Sequence, residues 1–160
     1  MKAGAVLRVA RPTDHLAAIA EMYATGLDFT VLAQFHDHEG FDGIILGHPH
    51  QPYHLEFTTQ RGHHVGKAPT QDHLLVFYLP DQAEWQATCA RMLAAGFQRV
   101  PSYNPYWEAQ GQTFEDLDWV SRRAPERGVD HIEQATDTLY YRHRSCQYLI
   151  SFASPSVRDE

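Results

Sequence analysis

One pattern occurs twice along the chain, and it constrains the fold more than any other feature. The stretch AVLRVARPT alternates as a strand does, and HLAAIAEMYATG follows with apolar residues at helical spacing. Some 66 to 68 residues later the same order returns, as HLLVFYLPD and then DQAEWQATCARMLAAGF. An internal duplication is the natural interpretation.

Each copy is followed by further strand patterns. After the first helix, residues 29–60 predict three strands separated by turns at DHEG and GHPHQP. After the second helix, QRVPSY and QTFED predict short strands on either side of a loop, NPYWEAQG. The sequence therefore predicts a strand–helix–three-strand unit, followed by a second unit that starts the same way.

The second helix has clear boundary signals. Asp81 is a good N-cap with Glu84 three residues later, and Gly96 is suited to close the helix. The expected apolar stripe consists of Trp85, Cys89, Met92 and Leu93.

Composition narrows the class of protein. The chain has 160 residues, 43% hydrophobic and 21% charged, which suits one domain with a real core. A formal net charge of −7 argues against a nucleic-acid partner, and the lack of a long apolar run argues against a membrane. Two cysteines, Cys89 and Cys146, do not make a disulfide framework, so we expect a cytoplasmic protein.

The two strand–helix starts, together with YHLEFT and GQTFEDLD, resemble the vicinal oxygen chelate (VOC) superfamily. That group includes glyoxalase I, bleomycin-resistance proteins, fosfomycin-resistance enzymes and extradiol dioxygenases. The resemblance covers roughly residues 5–118, so we expect a VOC domain at 1–118 and an atypical tail at 119–160. It implies an α+β fold of two βαβββ modules whose sheets enclose a small-molecule cavity. A homodimer is an option because many members are dimers.

The resemblance also locates the positions at which metal-dependent members hold a metal. They fall on Arg8, Glu56 and Leu74, and the last one has no matching strand. Arginine and leucine are not metal ligands, so we expect no metal, and instead an ion pair between Arg8 and Glu56. The alternative is one divalent metal at Glu56 and His54.

Strand alternation indicates which residues line the cavity. Leu7 and Val9, like Leu75, Phe77 and Leu79, are expected to pack under the helices. The candidate ligand-binding residues on the opposite face are Arg8, His54, Glu56, Val76 and Tyr78. Three aromatic residues either seal one end of the core or stack a planar ligand: Tyr103, Tyr106 and Trp107. Phe41, in a strand flanked by glycines, is a candidate to line the same mouth.

Histidine is unusually frequent. Eight of the eleven histidines lie between residues 36 and 73, mostly around the predicted turns. Such residues can bind zinc, but turn histidines are more often solvated. His54 is the best single candidate, since it lies two residues from Glu56 on the same strand face.

The pattern is lost after Asp118, where the chain reads WVSRRAPERG. Read one nucleotide out of step, codons for these residues can spell Asp-Gly-Tyr-Arg-Val-Val-Leu-Gln, which is typical of the final strand of the superfamily. We therefore hypothesise that residues 119–160 are a frameshift product, which resequencing the gene would decide. We expect the final strand to be lost or replaced and the tail to be loosely packed, because a connector of about 25 residues disfavours CQYLISF as a substitute.

These features favour metal-independent binding of a small, partly aromatic molecule, as in bleomycin-resistance-like proteins. A metal-dependent lyase or dioxygenase is the alternative. A small dimeric module without ligand chemistry is the third class.

Overall fold

Two βαβββ modules follow each other in the computed structural model, which describes residues 4–65, 73–118 and 149–153. The first module consists of β1 (Leu7–Pro12), α1 (Leu16–Leu27), β2 (Thr30–His38), β3 (Phe41–Gly47) and β4 (Tyr53–Gln60). The second consists of β5 (Leu74–Tyr78), α2 (Gln82–Ala94), β6 (Gln98–Val100), α3 (Pro105–Gln110), β7 (Gly111–Glu115) and β8 (Leu149–Ala153).

The two modules have the same strand topology. The first sheet has the order β1-β4-β3-β2 and the second the order β5-β8-β7-β6. In each, the first and last strands of the module pair in parallel, and the other pairings are antiparallel. The equivalence confirms the predicted α+β fold and its internal duplication.

Local signals set the helix ends as predicted for α2. The carboxylate of Asp81 accepts a hydrogen bond from the Glu84 backbone N–H at 2.7 Å, and Gly96 has a φ of 95° just beyond the helix. The loop predicted at NPYWEAQG is instead the short helix α3. Asn104 caps it by accepting from the Tyr106 backbone N–H at 2.9 Å, and Pro105 follows at its start.

Both modules contribute to one hydrophobic core between the helices and the helix-facing sides of the sheets. Its buried members come from both modules: Ile19, Ala20, Tyr23, Leu27, Phe29, Leu46, Leu55, Phe57, Cys89, Met92, Phe97, Phe114 and Phe152. Leu75, Phe77 and Leu79 pack against this core as predicted. Leu7 and Leu93 do not, because Leu7 is 62% exposed at the start of its strand and Leu93 is 52% exposed.

The position of the final strand is filled by Leu149–Ala153, which lies between β5 and β7. The sequence interpretation disfavoured this segment because of its long connector, and that was wrong. The cost of closing a loop rises only logarithmically with its length, whereas β8 pairs with two otherwise open strand edges. Residues 119–148 lie outside the described parts of the chain, and the frameshift hypothesis stays a prediction.

Phe152 anchors β8. Its buried ring stacks on that of Phe77, with centroids 5.7 Å apart, and lies edge-on to Phe114 at 5.9 Å. The Trp85 indole N–H donates to the Phe152 carbonyl at 3.1 Å. Among the described residues, no helix is long and apolar enough to cross a membrane.

Candidate functional site

The face of the first sheet that points away from the helices carries an ion pair. Nη1 of Arg8 lies 3.3 Å from Oε2 of Glu56, as predicted. The Arg8 side chain is 48% exposed and that of Glu56 is 16% exposed. The pair is therefore half open to solvent on the arginine side.

Parallel pairing of β1 with β4 brings these residues together. Arg8 is opposite His54, and Ala10 is opposite Glu56, so Arg8, His54 and Glu56 share one face. Nδ1 of His54 is buried and has no hydrogen-bond partner among the described residues. Gly47 leaves room for the imidazole, since a Cβ there would lie 3.1 Å from Cδ2 of His54.

An apolar surface borders these polar groups. Ile45 is opposite Glu56 in the register of β3 and β4 and is only 7% exposed, yet it is not part of the main core. Phe35 extends this surface, because its ring occupies the space above Gly43, where a Cβ would lie 2.2 Å from Cζ of Phe35. Apolar walls with a few polar groups are characteristic of small-molecule sites.

The predicted aromatic residues form a second group, around β5 and α3. Trp107 contacts both Tyr78 and Tyr106 edge to face, with centroids 6.1 Å and 5.0 Å away. Tyr78 remains 59% exposed, and Val76 is half-buried two residues earlier on the same strand face. This exposure favours a surface for stacking over a seal of the core.

Two predicted residues lie apart from these groups. Phe41 begins β3 opposite His38, at the tip of the β2–β3 hairpin, and is 38% exposed. Tyr103 precedes α3 and is also exposed.

Sequence reasoning missed a buried ionic cluster that joins the two modules. The Arg11 guanidinium, on the helix side of β1, donates to Asp116, and to Asp118 at 2.7 Å. Arg11 also donates to the Tyr23 hydroxyl at 2.7 Å, and the Thr13 hydroxyl donates to Asp118 at 3.1 Å. The signal was present, because alternation places Arg11 on the same face as Val9, and a charge on a core face needs a partner.

Burial and charge shift the pKa values in this cluster. Burial would lower the pKa of Arg11, but Tyr23 and the carboxylates of Asp116 and Asp118 outweigh it and raise the pKa. Burial raises the pKa of Tyr23 well above its ordinary value. The guanidinium therefore stays charged and the phenol neutral, and the cluster acts as an ionic clamp between the two modules.

The metal of the superfamily does not fit these residues. Of the expected metal positions, Arg8 is paired with Glu56 and Leu74 has no donor atom. In the described parts of the chain, no three His, Cys, Asp or Glu side chains are grouped so that they could hold a metal ion. Two of the turn histidines have other surroundings: His48 packs edge-on to Phe29 at 5.3 Å, and Nδ1 of His36 lies 3.8 Å from Asp42.

This strand order and the duplicated modules define a protein of the VOC superfamily. The sequence models of the YycE-like N-terminal and C-terminal domains match residues 7–58 and 72–119. YycE of Bacillus subtilis is 43% identical over 114 residues, covering 71% of this chain and 82% of that protein. The chain therefore belongs to the YycE-like family.

Solved structures agree with this assignment. A YycE protein from Bacillus subtilis superposes with a TM-score of 0.71 at 33% identity, covering 98% of this chain and 93% of that one. Glyoxalase I from Leishmania major gives 0.58 at 15% identity, covering 94% and 86%. TnmS3, an antibiotic binding protein from Streptomyces, gives 0.55 at 16% identity, covering 98% and 99%. At these identities, the last two show the fold alone.

Proposed function

We propose that this protein binds a small, partly aromatic molecule between its sheets without a metal, in the manner of bleomycin-resistance-like proteins. The observation that carries the proposal is the replacement of two metal ligands by Arg8 and Leu74, with Arg8 paired to Glu56. Beside this pair lies the buried Nδ1 of His54, which has no hydrogen-bond partner within the described parts of the chain. A buried polar atom without a protein partner is suited to hydrogen-bond a ligand. The fold shared with an antibiotic binding protein supports the same reading.

The proposed binding residues fall into two sets with different tasks. Arg8, His54 and Glu56 would hydrogen-bond the polar part of the ligand. The aromatic part would stack on Tyr78 and Trp107, with further contacts to Val76, Phe41, Tyr103 and Tyr106.

A thermal-shift screen of small aromatic compounds, followed by calorimetric titration, tests this proposal. We expect saturable binding of at least one compound, weakened about tenfold or more by Glu56→Ala and by Trp107→Ala. Glu84→Ala is the matched control, because Glu84 is an exposed residue in the first turn of α2. A protein that responds to no compound would contradict the proposal and favour a dimeric module without ligand chemistry.

Elemental analysis of the purified protein separates the metal-dependent lyase or dioxygenase from this proposal. Stoichiometric zinc, iron or nickel that disappears in Glu56→Ala would overturn metal independence.

A homodimer and a cytoplasmic location remain part of the proposal. Light scattering tests the dimer.

A further inference from the structure

The ion pair in the polar part of the proposed site has no net charge. The positive charge of Arg8 is balanced by Glu56 at 3.3 Å, and the carboxylate is the more buried of the two. A ligand that reaches Arg8 therefore also meets a carboxylate. An anion would face repulsion from Glu56 or would have to displace it.

The same pair presents two complementary kinds of hydrogen-bonding group next to each other. A guanidinium has five N–H donors, and the contact with Glu56 engages Nη1 alone. A carboxylate has only acceptor positions. A neutral group with a donor beside an acceptor, such as a primary amide or a hydroxyl next to a carbonyl, satisfies both partners without breaking the ion pair.

The surroundings keep this arrangement in place. Glu56 lies on β4 between β1 and β3, opposite Ala10 on one side and the buried Ile45 on the other. Neither neighbour offers a charge that could replace Arg8. If Arg8 turned toward a bound anion, the carboxylate of Glu56 would lose its ion-pair partner, which Ala10 and Ile45 cannot replace.

We infer that the site selects uncharged planar molecules that carry a hydrogen-bond donor beside an acceptor, and that Glu56 is the residue that excludes anions. This inference rests on the proposed function, and it names the class of ligand and the residue that sets specificity. In the proposed function, the planar part of the ligand would stack on the aromatic group of Tyr78, Tyr106 and Trp107.

Isosteric pairs of probes test the inference. Each pair has the same ring and differs only in carrying a carboxamide or a carboxylate: benzamide and benzoate, 2-naphthamide and 2-naphthoate, and the 2-carboxamide and 2-carboxylate of anthraquinone. Titration calorimetry gives the ratio of the Kd of the carboxylate to that of the amide. In the wild-type protein we expect the amide to bind about tenfold more tightly or better.

Glu56→Gln should abolish this preference. The variant keeps the shape of the side chain but leaves Arg8 unpaired, so the ratio should fall by about tenfold or more. Glu84→Gln is the matched control, since it neutralises an exposed carboxylate on α2 and should leave the ratio unchanged. Arg8→Gln is a second variant that tests the same pair if Glu56→Gln does not fold, and it should raise the ratio because Glu56 then acts alone.

The outcomes separate the inference from the proposed function. A wild-type protein that prefers carboxylates, or a ratio that Glu56→Gln and Arg8→Gln leave unchanged, overturns the inference while binding itself stands. A protein that binds neither member of any pair, and no compound in the broader screen, overturns both.

Discussion

At the scale of single residues, Arg11 is held by several partners at once. Its guanidinium is buried with two carboxylates and a phenol, and its Cζ lies 5.5 Å from the ring centroid of Phe57. Pairing with both Asp116 and Asp118 connects the end of β1 with the segment after β7, so one residue joins the two modules.

Replacing this arginine should be costly. In Arg11→Met the carboxylates of Asp116 and Asp118 stay buried without their cation, and the free energy of unfolding should fall by about 3–5 kcal/mol. Urea denaturation of the variant measures this loss. Arg61→Met is the control, because Arg61 is an exposed member of an ion-pair network. Its removal should lower the free energy of unfolding far less. Equal losses for the two variants would show that the cluster is not a clamp.

Cys89 predicts how stability depends on alkaline pH. Burial raises the pKa of this thiol to about 11, compared with about 8.5 in an unfolded chain. Between these values the folded state holds a proton that the unfolded state has lost, so the free energy of unfolding falls as pH rises. Removing the thiol in Cys89→Ala should make this fall shallower, by up to about 1.4 kcal/mol per pH unit.

Urea midpoints of both proteins from pH 8 to pH 11 test the effect of Cys89. The two proteins are compared by the slope of their unfolding free energy against pH. Their absolute stabilities differ at every pH, because removing the sulfur atom of Cys89 leaves a small cavity in the core. Parallel curves would contradict the assignment of the slope to this thiol.

At the scale of elements, the two modules differ most in the connection to their final strand. In the first module five residues, 48–52, join β3 to β4, whereas 33 residues, 116–148, join β7 to β8. The C-terminal family match also ends at residue 119. Both observations place the discontinuity where the hypothesised frameshift begins.

A redesigned chain tests this prediction. In it, Asp118 is followed directly by Gly-Tyr-Arg-Val-Val-Leu-Gln, which would occupy the slot of β8 after a short connection. Shortening the loop alone should raise the free energy of unfolding by about 2 kcal/mol. A control chain with the same seven residues in scrambled order should not show this rise in the free energy of unfolding. If the gene has one uninterrupted frame and the redesigned chain is less stable than the present one, the hypothesis is wrong.

At the scale of the whole molecule, the packing of α1 against α2 makes the modules dependent on each other. A Cβ at Gly26 would lie 2.8 Å from Sδ of Met92 and 3.0 Å from Cε2 of Phe97, and both of these residues belong to the second module. The absence of a side chain at Gly26 therefore permits the helices to approach closely.

Gly26→Ala should lower the stability of the protein despite the better helix propensity of alanine. The gain of up to about 1 kcal/mol is opposed by overpacking against Phe97, which costs about 1–3 kcal/mol. Thermal unfolding should give a lower Tm with a single transition, because the core is shared. Thr25→Ala, at an exposed position of the same helix, is the control and should not lower the Tm. A higher Tm for Gly26→Ala would contradict close packing at this site.

The sequence by itself determined the local structure and its order along the chain. Alternation and helical spacing indicate burial on one face, and turn residues indicate where a strand must end. The first module, the start of the second and the Asp81 cap could therefore be predicted from pattern. The Arg8–Glu56 pair was predicted as well, but through the VOC resemblance, which implied that the first and fourth strands are adjacent.

Only the tertiary structure decided which distant groups meet. Arg11 and Asp116 are 105 residues apart, and β8 follows a connector whose length gives no indication of where it leads. Such contacts depend on the simultaneous packing of several elements, so no local pattern encodes them. Short-range sequence patterns therefore predict helices, strands and turns. The ionic cluster between the modules and the strand that completes the second sheet depend on how the whole core packs.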